Sequence, residues 1–244
     1  MKVRKHPHAG HTGHVGEFLR VIGSMTKHGM RHAEVFDDFL EAAFCAVAKT
    51  THLPGERAEA LEERYMRVVR KRPPDYVAEL PKLLGLMTLG VQAGGVDFLG
   101  KAAGELGSLS EHLGQFFTPY EVSRLIVKMT IDEDLMREKI AEKGYIDVGE
   151  PACGSGGMLL AVAEALEELG FDPSKHMLAH ATDLSSLAFR MAYLQLDARG
   201  IPAKVVHGNT LTLETFGCEV TPAFVRFEFE RRAAALAADS VAAE

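Results

Sequence analysis

The sequence predicts an α/β protein in which a helical region precedes an incomplete parallel sheet. Three observations predict it. Apolar residues recur at three- and four-residue spacing through residues 1–113, with no strand pattern among them. After Gly114, short apolar runs alternate with amphipathic ones. Between the first strand-like run and the first helix-like run lies a glycine-rich bend, "GEPACGSGG" at 149–157.

Composition bounds the reading. The chain has 244 residues, 47% hydrophobic and 25% charged, enough to bury a sizeable core in one or two domains. A net charge of −7 argues against a strongly basic nucleic-acid module but leaves room for a local patch. Cys45, Cys153 and Cys218 are odd in number, widely spaced and without C-x-x-C. They suggest neither a disulfide frame nor a zinc ribbon, and a reduced cytoplasm suits them. "MKVRKHPHAGH" has no apolar stretch behind it, so no signal peptide is expected. No run of eighteen apolar residues predicts a membrane span.

The elements follow in order. Residues 1–16 are rich in His and Gly; His6, His8, His11 and His14 could ligate a metal, but no Cys or carboxylate completes the set, and a mobile leader is the plainer reading. From Gly16 to Thr51 a helical pattern runs through Phe18, Leu19 and Ile22, then Val35, Phe36, Phe39, Leu40, Phe44 and Val47, with Asp37 and Asp38 on its polar side. In 55–72 acids crowd the first half and Arg64, Arg67, Arg70, Lys71 and Arg72 the second, which complements the helix dipole. That reads as a solvated helix end, with a DNA-contacting face as the alternative. Pro73-Pro74 ends this helix, and Asp75 is placed to cap the next, which carries Leu80, Leu83, Leu84 and Met87. "DFLGKAAGELG" (97–107) is a further short helix.

Beyond Gly114 the texture changes. Residues 119–130 form an amphipathic helix with Pro119 at its start. Strands at 145–148, 177–183 and 203–211 alternate with helices at 156–170 and 185–200, each helix closing on a glycine. The order βαβαβ calls for a parallel sheet. "FVRFEFE" (224–230) alternates apolar and charged residues, so it reads as a half-exposed strand before an Ala-rich tail.

A strand running into Gly-x-Gly and a helix presents free backbone N–H groups. Gly154, Gly156 and Gly157 let the chain turn and let a ligand approach it. No Gly-Lys-Ser/Thr follows, and the third glycine of G-x-G-x-x-G is missing. Glu150 would repel a pyrophosphate and welcome an ammonium or a sulfonium. Asp183, at the tip of the second strand, can accept hydrogen bonds from ribose hydroxyls, or can serve as a helix cap. Asn209, at the exit of the third, can reach a base edge. Together these groups suit a nucleoside bearing an amino acid and a positive centre.

"GQFFTP" (114–119), "EPACGSGGML" (150–159), "ATDLSSLAFRMAYLQL" (181–196) and "GNTL" (208–211), in that order, resemble the amino-group DNA methyltransferases. The likeness is to the N6-adenine group, including the modification subunits of type I restriction systems. It implies a Rossmann-like methyltransferase core at 114–244, preceded by a helical domain at 1–113. It implies S-adenosyl-L-methionine as cofactor, held by Phe116, Phe117, Thr118 and Pro119 and by Glu150, Pro151, Ala152, Gly154, Ser155 and Gly156. Asp183 and Leu184 would take the ribose, and Asn209 and Thr210 would lie by the adenine.

The catalytic signature of that family, (D/N)-P-P-(F/Y), follows its fourth strand. No Pro-Pro occurs after Leu211, and "RPPDY" (72–76) carries Arg in the acid's place and precedes the cofactor motifs. No catalytic residue is therefore assigned. Three readings stay open: a cofactor-binding protein inactive alone, an active methyltransferase completed by a partner or a longer gene product, and a helical interaction protein with a structural remnant. DNA contact from this chain alone is expected to be weak, with a homodimer or a partner subunit covering an unfinished sheet.

Overall fold

A computed structural model describes residues 11–94, 96–107 and 117–242. The helical region comprises α1 (His11–Met25), a 3-10 turn (Thr26–His28), α2 (His32–Lys49), α3 (Glu56–Lys71), α4 (Pro74–Val77), α5 (Leu80–Gln92) and α6 (Phe98–Glu105). Then come α7 (Tyr120–Thr130), α8 (Glu133–Lys143), β1 (Ile146–Glu150), α9 (Gly157–Glu168), α10 (Pro173–His176), β2 (Met177–Asp183), α11 (Ser186–Ala198), β3 (Ala203–Asn209), β4 (Glu214–Val220) and α12 (Pro222–Ala242).

The strands stand in the order β1-β2-β3-β4. The first three are parallel and β4 returns antiparallel, with an irregularity at His207/Gly208. The register places Val148, Ala179 and Ala203 side by side. Alternate residues share a face, so Ile146, Ala181 and Val205 join them, and most of this set is buried. Helices α9 and α11 pack on the sheet. Asp147, Gly149, His180 and Lys204, on the other face, are exposed.

The helical region closes over α11. Helices α2, α5 and α6 all pack on it. Phe44 of α2 meets Phe189 and Tyr193 of α11 edge to face, each at 5.1 Å, and Phe18 meets Phe39 and Phe98 likewise at 5.2 and 5.3 Å. Such contacts add to the burial of large rings. Arg190, almost fully buried, reaches Asp37 at 2.7 Å and Glu41 at 3.1 Å. Among the described residues no helix is long and apolar enough to cross a membrane.

Several expectations are corrected. The 224–230 strand is the first half of α12. Thr221 begins the helix, its carbonyl accepting from Phe224 N at 2.9 Å, and Pro222 suits the first turn. Ala223 and Phe227, four apart, are the buried pair, and Phe227 meets Tyr145 edge-on at 5.0 Å. The alternation was a helical spacing in disguise. The fourth strand is instead Glu214–Val220, which carried no apolar signal because its buried residue is Glu219, held by His52 at 2.7 Å and by Arg57. Helix α8 was not anticipated. The leader ends sooner than residue 16: α1 begins at His11 because Val15 is already buried in the core. His6 and His8 lie outside the described residues. Asp75 is not the cap of α5, whose N-cap is Glu79; it sits inside α4 and pairs with Lys27 at 3.1 Å. The arginines of α3 are partly spoken for: Arg64 binds Glu41 through two bonds, at 2.8 and 3.0 Å. "RPPDY" is the junction between α3 and α4.

Candidate active site

The glycine loop joins β1 to α9 at the carboxyl ends of the parallel strands, where open α/β sheets bind ligands. Gly154 and Gly156 have φ of 54° and 94°, left-handed values that a side chain disfavours. At Gly154 a Cβ would also stand 2.8 Å from the Phe117 ring. The aromatic of the F-F-T-P turn therefore lies directly on the loop.

Asp183 organises the loop as well as facing the cavity. One carboxylate oxygen accepts from Gly154 N and the other from Ser185 N, both at 2.8 Å. Ser185, not Asp183, caps α11, accepting from Ala188 N. Cys153 N donates to Thr182 O at 2.9 Å, which ties loop to β2. Thr210 Oγ1 donates to Pro151 O at 2.6 Å, which ties it to the exit of β3. Burial pushes the Cys153 thiol far above its ordinary range, with the charges of Asp183 and Glu150 adding to it, so it is no nucleophile.

The loop borders a cavity of about 430 Å³, a size suited to a small molecule. Phe117 and Thr118 form one side, and Glu150, Ala152, Gly154 and Ser155 another. Asp183 enters from β2, and Asp97 and Ser123 from the helices beyond. Of the remaining expected residues, Pro119 caps α7, Gly156 caps α9 and Leu184 is largely exposed. Asn209 turns its carbonyl oxygen to Leu211 N and Thr212 N, at 2.9 and 3.2 Å, leaving its amide NH₂ as the group it can offer. Phe116 lies outside the described residues.

Sequence reasoning missed Asp97 and Ser123. Asp97 caps α6, accepting from Gly100 N at 2.9 Å, and also meets Gln195 Nε2 at 2.7 Å and Ser155 Oγ. Burial pushes its carboxyl up, while the Ser155, Gln195 and Gly100 hydrogen bonds oppose this. Gln195, fully buried, spends both donors and its acceptor on Asp97, Ser155 O and Leu99 N. The first turn of α6, the glycine loop and α11 are thus stitched together in the interior. The only hint in the sequence was an Asp before a helix.

The family description "N-6 DNA Methylase" matches residues 98–227, more than half of the chain. The chain belongs to the N-6 DNA methylase family. The matched span opens one residue after Asp97 and runs through the glycine loop and Asp183 into α12. Over 103 residues the chain is 32% identical to the type I restriction enzyme MjaIX methylase subunit of Methanocaldococcus jannaschii. That alignment takes in 42% of this chain and 16% of the relative, so the chain spans only a small part of that protein. A solved structure from Listeria monocytogenes, assigned to the class I S-adenosylmethionine-dependent methyltransferases, superposes with a TM-score of 0.40 at 15% identity. It covers 78% of this chain and 52% of that one.

The N-6 DNA methylase family depends on S-adenosylmethionine, and the residues present fit that molecule. A side chain at Gly154 would push Phe117 away, so the glycine is what lets the aromatic close against the loop at the cavity's edge. Glu150 and Asp183 in the cavity wall suit a cationic ligand and not a pyrophosphate.

Proposed function

We propose that this chain binds S-adenosylmethionine, one molecule per chain, as the cofactor-holding part of an adenine-N6 DNA methylation system. The observation that carries the reading is the joint between the two cofactor motifs: Phe117 on Gly154, and Gly154 N on Asp183, around one cavity. The bound group supplies a methyl on a sulfonium. This chain's residues orient it: Asp183 beside the ribose, Phe117 and Thr118 over the amino-acid end, and Asn209 offering its NH₂ to an acceptor on the adenine. Residues 1–113 serve as a platform for the core at 114–244.

The chain does not transfer the methyl group by itself. No (D/N)-P-P-(F/Y) occurs in the sequence, so nothing is set to accept from the target amino group or to stack on a flipped base. Misplacement alone costs about a hundredfold in rate. The base-holding groups come from another chain or another segment. Among the described residues β1 has a single strand neighbour, and α7 exposes an apolar side. We take a second copy as the cover in the isolated protein, since two-fold pairs are the commonest closed arrangement. The buried free cysteines accord with a reducing cytoplasm.

Isothermal calorimetry with S-adenosylhomocysteine, beside radiolabel transfer to mixed-sequence DNA, tests this. One binding site per chain with no transfer is expected. Binding of ATP without the sulfur nucleoside would overturn the cofactor, and turnover above background would overturn the inactivity.

A further inference from the structure

We propose that Ser123 is a cofactor-contacting residue, its hydroxyl donating to the carboxylate at the amino-acid end of the methyl donor. The proposal rests on the reading that the cavity holds S-adenosylmethionine. It adds a group outside both the F-F-T-P turn and the glycine loop.

Ser123 lies one turn into α7 and is 1% exposed. Its Oγ has no hydrogen-bond partner among the described residues. Four other hydroxyls in helices or at their ends are paired. Ser24, Thr26, Thr50 and Thr130 each fold back onto a carbonyl three or four residues earlier, all at 2.7 Å. Ser123 does not take this escape; of the two carbonyls in that range, Pro119 O already accepts from Val122 N at 2.9 Å and from Ser123 N at 3.1 Å. A buried hydroxyl left unpaired destabilises the protein, and each such group calls for an explanation. Alanine would occupy the place without that cost.

The position supplies the explanation. Ser123 lines the same cavity as Thr118, Glu150 and Asp183. Asp183 stands at the end of β2, where a ribose would sit. Ser123 comes from α7, which packs on α9, beyond the glycine loop. A nucleoside anchored by Asp183 therefore extends its amino-acid arm toward Ser123. The two ends of that arm are sorted by charge. Glu150 in the wall favours the ammonium and repels the carboxylate. The hydroxyls of Ser123 and Thr118 are left as donors to the carboxylate, at no charge of their own.

The test compares wild type with Ser123→Ala in the full chain, using two ligands and a melt. The ligands are S-adenosylhomocysteine and its decarboxylated form, which lacks only the carboxylate. Calorimetry is expected to show S-adenosylhomocysteine binding about five- to tenfold weaker in the variant, the range of one lost hydrogen bond, and the decarboxylated ligand binding both proteins equally. Without ligand, the variant is expected to melt at the same temperature or higher. Equal affinity of both proteins for S-adenosylhomocysteine, equal loss for both ligands, or a ligand-free melting temperature lowered by the change would each overturn the proposal. If the wild type binds neither ligand, it is the cofactor reading itself that fails.

Discussion

Helix α11 packs on β2 and β3, helix α7 packs on α9 toward β1, and the two meet different surroundings. Helix α11 is buried almost all round, between β2 and β3 beneath and α2, α5 and α6 above. Even its arginine and glutamine are enclosed and paired. Helix α7 buries Tyr120, Ser123 and Val127 against the core and turns Val122, Leu125, Ile126 and Met129 outward, with Leu125 58% and Met129 78% exposed. Those four follow the spacing of a second helical stripe, which a helix facing solvent has no use for. At one flank the sheet ends in an antiparallel strand fixed by Glu219; at the other it ends at β1. The helical region has finished one flank of the fold. The other leaves an apolar stripe exposed among the described residues.

The comparison breaks first in the core. Phe44→Ala, on the closed flank, is expected to cost about 3–5 kcal/mol in urea denaturation, whereas Leu125→Ala on α7 should stay within about 0.5 kcal/mol. Similar losses at both sites would mean that α7 is as enclosed as α11.

A smaller effect concerns pH. Burial raises the Asp197 carboxyl of α11 to about 6. An acid more easily protonated folded than unfolded costs stability as pH rises from about 4 to about 6, and the cost is complete above that. Asp197→Asn should therefore stabilise the protein at pH 7 by on the order of 2 kcal/mol and give no gain at pH 4. A gain independent of pH would assign the effect to packing.

Smallest in folding energy, but plain in assembly, is the open flank. Light scattering at micromolar concentration is expected to give a dimer, twice 26.6 kDa. Leu125→Lys with Met129→Lys should return the monomer with unchanged stability. A wild-type monomer unaffected by concentration would mean that the chain covers this flank itself.

What could be read in the sequence follows the same division. Strands β1 to β3 and helices α9 and α11 were legible because short apolar runs alternate with amphipathic ones and the glycine bend marks their junction. Strand β4 was not, because a charged residue, Glu219, occupies its buried position and is neutralised by groups over a hundred and fifty residues away. Residues 224–230 fit two periods at once, and only the Thr221-Pro222 start decides between them. In the site, the loop and Asp183 were legible as motif residues. Asp97 and Ser123 were not: a polar residue at or near a helix start looks like surface until packing encloses it. Asn209 was assigned to the adenine, but its oxygen is committed to the turn that follows, which no spacing reveals.

On our proposal the two cofactor motifs form one working site around Asp183. Calorimetry of S-adenosylhomocysteine on wild type and on Asp183→Ala tests it most directly, with a thermal melt to confirm folding. Asp183 holds both Gly154 N and Ser185 N, so its loss removes the ribose contact and loosens the loop together. One site per wild-type chain is predicted, with affinity at least tenfold weaker in the folded variant. Equal heats from the two proteins would contradict the claim.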